Sequence, residues 1–296
     1  LVTFFSHSSG LGGGERSMLE LIKELKEKNI FSHVVLPSEG AMQKELEDMK
    51  VPYDIVGLNW WANSKQRNLE ESVSISSSSL NNLFKYLPKL KLINPDLIYS
   101  NTIVSPWGAI AANHIDKPHI WHIREYGELD HRFIFDSNYT EIISFIEKYS
   151  DKIITNSHSL ADYLNKFLLN KKPLVAYNYI NINQNLLKEK IISPYTNKNS
   201  LKIIVSGTIE EGKNQLEAID TVLKMKKNGI NCELLLLGSI PDIKYYNKLS
   251  NIIDKEKANS YIHILDFVEN PYPYFQLSDI VLIASNKEAI KTMSDS

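Results

Sequence analysis

What this chain lacks narrows its chemistry before any motif is considered. A single cysteine, Cys232, in 296 residues excludes a disulfide framework and fits a reducing, cytosolic setting. It lies inside the apolar stretch NCELLLLG, which reads as a small packing residue and not as a nucleophile. An excess of charge is missing too: 33 Lys and Arg stand against 35 Asp and Glu, a formal net charge of -2. That balance excludes broad electrostatic attraction to nucleic acid. No apolar run approaches the ~20 residues that span a bilayer, and no signal peptide is visible within the sequence, whose Leu1 already lies in a strand pattern. There is no GxGxxG fingerprint and no GK[ST] loop, so neither a dinucleotide dehydrogenase nor a P-loop NTPase is indicated.

What is there is alternation. Short apolar runs follow helical patterns almost throughout: strand LVTFFS (1–6), a helix at 15–28 with Met18, Leu21, Ile22 and Leu25 at helical spacing, then HVVLP (33–37), a helix near 40–49 and a strand near 53–56. Residues 63–79 break the pattern; they are polar, end in SVSISSSS, and read as a mobile loop or insertion. The alternation resumes with a helix at 80–93, DLIYS (96–100), a helix at 106–114, HIWHI (119–123), a helix near 138–149, KIITN (152–156), a helix at 158–168 and PLVAYN (173–178). Residues 181–200, rich in Asn, Lys and Ser, read as a linker. A second series follows: KIIVSG (202–207), a helix at 214–227, ELLLLG (233–238), a helix at 242–257, YIHILDF (261–267), a short helix near 271–277 and DIVLIAS (279–285). Alternating strands and helices mean parallel sheets covered on both faces. The expected fold class is therefore α/β, with a Rossmann-like domain at 1–180, a linker at 181–200 and a second Rossmann-like domain at 201–296. Ligands of such sheets sit at the carboxyl ends of strands.

Four strand ends carry candidate chemistry. SHSSGLGGGERSMLEL places Gly10, Gly12, Gly13 and Gly14 just ahead of a helix, where free amides and the dipole suit a phosphate. The bland alternative is a flexible strand-to-helix turn. In PHIWHIREYGE, His122 ends a strand with Arg124 and Glu125 just beyond; the histidine can donate to a sugar hydroxyl or a phosphate and the arginine can hold an anion. The alternative is a core histidine, with Arg124 and Glu125 pairing with each other. His119 and His114 read as structural. In VSGTIEEGKNQLEAI, Gly207 ends a strand and Lys213 stands near a helix start, where the dipole disfavours it unless an anion is nearby. In LIASNKEAI, Glu288 follows the last strand; alone it reads as a solvated charge.

In order, these segments resemble the family-4 retaining glycosyltransferases of bacterial polysaccharide and glycolipid assembly. SGLGGGERSMLELI resembles the family's amino-terminal glycine-rich segment. IYSNTIVSPWGAIAA, KPHIWHIREYGE, IITNSHSLADYL and PLVAYNYINI are similar to the rest of its first lobe, and GTIEEGKNQLEAI, LLLLGS, IHILDFVENPYPYFQLSDIVLIAS and KEA to the second. The resemblance implies a GT-B fold of two Rossmann-like lobes facing a cleft. It implies a nucleotide-sugar donor, most commonly a UDP-sugar, a glycan or lipid-linked acceptor, and no cofactor or metal. Gly12 and Gly13 would line the diphosphate and acceptor side, His122 would touch the donor sugar, Gly207 and Lys213 would meet the diphosphate, Phe267 and Val268 the base, and Glu288 the sugar hydroxyls. Arg16 and Arg124 are candidate anion or acceptor contacts. An Asp-x-Asp metal motif is absent.

Two departures stand out. Thr208 follows Gly207 where the family often has Arg, and the second glutamate of the family's paired motif falls at Ser296, the last residue. The second lobe is therefore expected to be incomplete and this chain to turn over little or not at all. Three functions compete: a glycosyltransferase, a non-catalytic scaffold of the same fold, and a nucleotide-sugar epimerase, which would need acid/base carboxylates in its cleft. Lys85, Lys89 and Lys91 in LFKYLPKLKLI raise peripheral contact with an anionic membrane. An amphipathic helix packed on the sheet is the alternative.

Overall fold

Both series of alternating elements are present in a computed structural model, which describes residues 1–179 and 188–285. The chain divides into two compact units after Asn181. In the first unit, strands β1 (Val2–Phe5), β2 (Ser32–Leu36), β3 (Tyr53–Ile55), β5 (Leu97–Asn101), β6 (His119–Ile123), β8 (Lys152–Thr155) and β9 (Leu174–Val175) form one sheet in the order β3-β2-β1-β5-β6-β8-β9. Every pairing in it is parallel. A short antiparallel pair, β4 (Ala62–Asn63) with β7 (Ile134–Phe135), stands apart from it.

Period-two alternation sends neighbouring side chains to opposite faces. Phe4 packs with Met18, Leu19 and Ile22 of α1 (Gly13–Glu27) and with Met42 and Leu46 of α2 (Met42–Asp48). Its neighbour Phe5 packs the other way, with Leu83, Leu87 and Leu90 of α3 (Leu69–Ile93) and with Trp107 of α4 (Trp107–Ile115). Trp121 and Ile153 continue that second face against α6 (Tyr139–Lys148) and α7 (His158–Leu164). Each such side chain, once buried, contributes roughly 1.5–3 kcal/mol.

Helix α3 corrects the reading of residues 63–79. It starts at Leu69, because Asn68 and Glu71 close a capping box: the Asn68 side chain accepts from the Glu71 amide at 2.8 Å, and Glu71 returns to the Asn68 amide at 3.0 Å. The serine run then continues the helix, and Ser79 turns inward to accept from both the amide and the side chain of Asn59. Serine is only mildly unfavourable in a helix, so a good cap and tertiary contacts decide.

The second unit carries β10 (Leu201–Ser206), β11 (Cys232–Leu237), β12 (Ile262–Leu265) and β13 (Ile280–Val281), all parallel, in the order β12-β11-β10-β13. Helices α8 (Gln215–Lys227) and α9 (Ile243–Lys255) supply Ile219, Val222, Leu249 and Ile253 to its core, and α10 (Tyr272–Leu277) follows β12. Part of the expected linker belongs to this unit. Tyr195 is buried in it, and Thr196, Asn197 and Ser200 all donate to Glu233 at the start of β11. Residues 180–187 and 286–296 lie outside the described residues. In each sheet the strand order reverses once, between β1 and β5 and between β10 and β13, and the crevice at such a reversal is where open α/β sheets bind ligands.

Candidate functional site

At the carboxyl edge of the second sheet, Gly207 follows β10, which borders the reversal, with φ 150, and Gly238 follows the neighbouring β11 with φ 159. A Cβ on Gly238 would stand 2.0 Å from the Gly207 carbonyl oxygen, so only glycine lets the two strand ends run this close. Lys213 lies in the 3-10 turn Glu211–Lys213, just ahead of α8, and its Cδ and Cε pass 3.9 Å from where a Gly207 Cβ would be. The lysine stem is thus folded over the glycine. Thr208 turns its carbonyl to the Gln215 side chain at 2.8 Å. Beyond β12, Phe267 is exposed and Val268 half-buried at the same carboxyl edge.

The glycine loop of the first unit works differently. None of Gly10, Gly12, Gly13 and Gly14 has a positive φ, so the freedom expected of them is not used. What they supply is room. Gly12 caps α1 with no side-chain cap, Gly13 has nothing within 4 Å of a would-be Cβ, and Gly14 faces His7, Asn101 and Thr102. The exposed start of α1 therefore offers unpaired amides. Arg16 is exposed and folds back on the Leu11 carbonyl at 3.0 Å.

His122 and Arg124 are both buried, side by side, on the face that α1 covers. Tyr99 Oη and His122 Nδ1 share a hydrogen bond at 2.5 Å. Burial, with a smaller push from Arg124, lowers the His122 pKa to about 2, so the ring is neutral. Arg124 and Glu125 do not pair with each other. Arg124 donates to Asn101 Oδ1 at 2.6 Å and to Ser17 Oγ and Asn178 Oδ1 at 2.8 Å each, while Glu125 accepts from the Ile103 amide at 2.7 Å. His119 is structural as expected: its two ring nitrogens meet Ser100 Oγ and the Tyr149 carbonyl.

Glu288, expected at the donor sugar, and Ser296 lie outside the described residues. Tyr99, Ser17 and Asn178 are additions that the sequence reading did not pick out, and Glu125, read there only as a partner for Arg124, accepts from the Ile103 amide instead. Among the described residues no group of three or more His, Cys, Asp or Glu gathers as a metal site, and no helix is long and apolar enough to cross a membrane. Of the three lysines on α3, Lys89 pairs with Asp54, which leaves Lys85 and Lys91 for any lipid surface.

The comparisons agree with one another. Among curated proteins, an alpha-monoglucosyldiacylglycerol synthase of Acholeplasma laidlawii is 28% identical over 144 residues, 48% of this chain and 35% of that protein. The capsular polysaccharide biosynthesis glycosyltransferase CapH of Staphylococcus aureus is 25% identical over 293 residues, 94% of this chain and 73% of that protein. The chain therefore spans about a third of the first relative's length and about three quarters of the second's. Among solved structures, Anabaena HepE in complex with UDP superposes with a TM-score of 0.70 at 17% identity, over 97% of this chain and 74% of that one. A mutant of Staphylococcus aureus TarM, in a complex that includes UDP, gives 0.69 at 11% identity, over 98% of this chain and 82% of that one. At such identities the likeness is one of fold, and the fold is GT-B. The model of Glycosyltransferase Family 4 matches residues 11–184, more than half of the sequence, and the chain belongs to that family.

Proposed function

We propose that this chain is a nucleotide-sugar-dependent glycosyltransferase that holds the donor diphosphate on the Gly207–Lys213 turn and transfers the sugar with retention to a glycan or lipid-linked acceptor. The observation that carries the reading is local to the second unit: an obligatory close approach of Gly207 and Gly238 at the carboxyl ends of β10 and β11, with the Lys213 stem laid over Gly207. That arrangement bares backbone to a ligand and sets a cation beside it. A leaving nucleoside diphosphate gains negative charge as the glycosidic bond breaks, and fixed charge aimed at that position lowers the barrier without reorganising. In the retaining route the departing phosphate helps to deprotonate the acceptor hydroxyl. Phe267, exposed past β12, would meet the base, and the open start of α1 at Gly12 and Gly13 would face the phosphate or the acceptor.

The donor's base is inferred from kinship of fold. HepE is seen with UDP and with UDP-glucose, and TarM with UDP, which supports a UDP-sugar. The names of CapH and of the Acholeplasma synthase support a place in cell-surface polysaccharide or glycolipid synthesis. Titration calorimetry with UDP and UDP-glucose tests the reading. Binding is expected, and Lys213→Ala should weaken it about 10–150-fold, the worth of one charged hydrogen bond, with unchanged circular dichroism. Thr208, where the family resemblance leads one to expect Arg, is the feature that motivates the scaffold alternative. No binding at millimolar ligand would decide for the scaffold.

A further inference from the structure

Arg124 is a buried cation without a counterion. It is 7% exposed, yet its three partners, Asn101, Ser17 and Asn178, are all neutral oxygens, and no carboxylate pairs with it among the described residues. Glu125 and Glu15 act on it only through space. A guanidinium taken out of water without a partnering anion is costly, and buried charges are ordinarily paired. Beside it, His122 is 6% exposed, and its Nε2 has no hydrogen-bond partner. Tyr99 Oη and His122 Nδ1 share one hydrogen bond, and in the tautomer where Tyr99 is the donor Nε2 carries an N–H that faces the pocket. Both residues wall one pocket of about 380 Å³ between α1 and the sheet. Leu21 and Ile154 make its apolar sides, and the exposed rings of Tyr177 and Tyr179 stand at its lip.

We propose that this pocket binds an acidic sugar, with one oxyanion, carboxylate or phosphate, on Arg124 and His122 and the ring against the tyrosines. The oxyanion follows from two buried donors and one uncompensated positive charge; Nη2 of Arg124, the nitrogen that Asn101, Ser17 and Asn178 leave unused, is the one to meet it. A sugar as its carrier rests on the glycosyltransferase reading above. Glu20 and Glu24 line the α1 side of the pocket, with Glu20 held by Lys23 at 2.7 Å. They accept hydrogen bonds from ring hydroxyls and repel a second negative group, so the ligand carries one acidic group.

The test is a titration of the chain, without nucleotide, by glucuronate, glucose 6-phosphate, glucose and inorganic phosphate, with UDP titrated into the same samples. At least one acidic sugar should bind, and glucose about tenfold or more weaker; the stronger of the two acids names the oxyanion. Arg124→Gln should weaken that binding about 10–150-fold. Ser17→Asp, which places a carboxylate beside the guanidinium and keeps the protein folded, should abolish it while raising Tm. Equal binding of glucose, equal binding of inorganic phosphate, acid binding that survives Ser17→Asp, or no acidic sugar bound at millimolar concentration would each overturn the proposal. If UDP binds where the acids do not, the donor reading stands and this one falls; if acids bind and UDP does not, the reverse holds.

Discussion

Glu125 at the carboxyl edge of the first sheet and Glu233 at the amino edge of the second are both buried, yet their surroundings push them in opposite directions. Burial raises each. At Glu233 it is overridden by Ser200 Oγ at 2.7 Å, the amides of Thr196 and Asn197 at 2.7 and 2.8 Å, and His263, and the carboxyl is held at about 2. At Glu125 burial prevails: the Ile103 amide opposes it, the charge of Asp130 adds to it, and the carboxyl is pushed up to about 7. Glu125 also lies deeper among protein atoms, so depth and donor count act together to separate them. The contrast also separates two uses of a buried acid. Glu233 is fully supplied and clasps residues 196–200 onto the second unit. Glu125 is undersupplied and poised near neutrality beside Arg124, as groups at functional sites tend to be.

The largest expected effect breaks the clasp. Glu233→Ala leaves two amides and a hydroxyl without their acceptor, and the second unit should lose about 3–5 kcal/mol. The four tryptophans, Trp60, Trp61, Trp107 and Trp121, all lie in the first unit, so their fluorescence reports that unit alone. In urea, far-UV circular dichroism should show an early transition in the variant while the tryptophan transition stays in place. A common shift of both signals would mean that the units do not unfold separately. Acid gives the same answer without mutation. The folded carboxyl at about 2 lies below its ordinary 4.5, so the unfolded chain takes up the proton first; the contribution, about 3 kcal/mol, is complete above 4.5 and is lost as pH falls towards 2.

Glu125 should behave as the mirror image. Its folded pKa lies above 4.5, so the folded carboxyl keeps a proton that the unfolded chain has released. The stability it contributes is complete below 4.5 and is lost as pH rises through 7. Glu125→Gln keeps an acceptor for the Ile103 amide and removes the charge. By tryptophan fluorescence it should match the parent at pH 4 and exceed it by about 2–3 kcal/mol at pH 9. A variant that is no more stable at pH 9 would show that Glu125 is ionised and satisfied, and the contrast with Glu233 would disappear.

Neither glutamate's partners are visible in local sequence, which shows what reading a chain can and cannot reach. The alternation of apolar runs placed β6 at His119–Ile123 to the residue and α8 within one residue, because period and burial are local properties. Gly207 and Lys213 were legible as a strand end followed by a cation. The first half of α3 was not, because a capping box and Asn59 outweighed a serine run. The neutral ring of His122 was not, because it follows from burial under α1, a property of the assembled fold. Glu233 left one trace, a charge opening an otherwise apolar strand. The four donors that settle its state lie 30 to 37 residues away in the chain.

The smallest effect sharpens the account of Glu125 by separating charge from burial. Asp130 accepts from the amides of Tyr126 and Gly127 at 2.8 Å each, which fixes the turn into the short helix Glu128–His131, and its charge pushes Glu125 upward. Asp130→Asn keeps an oxygen at that cap and removes the charge. The Glu125 carboxyl, followed by carbon-detected NMR of labelled glutamate, should then titrate lower by less than about one unit, because burial is the larger cause. A fall all the way to 4.5 would assign the whole displacement to Asp130 and leave burial with no part in it. No movement at all would leave burial as the cause of the whole displacement.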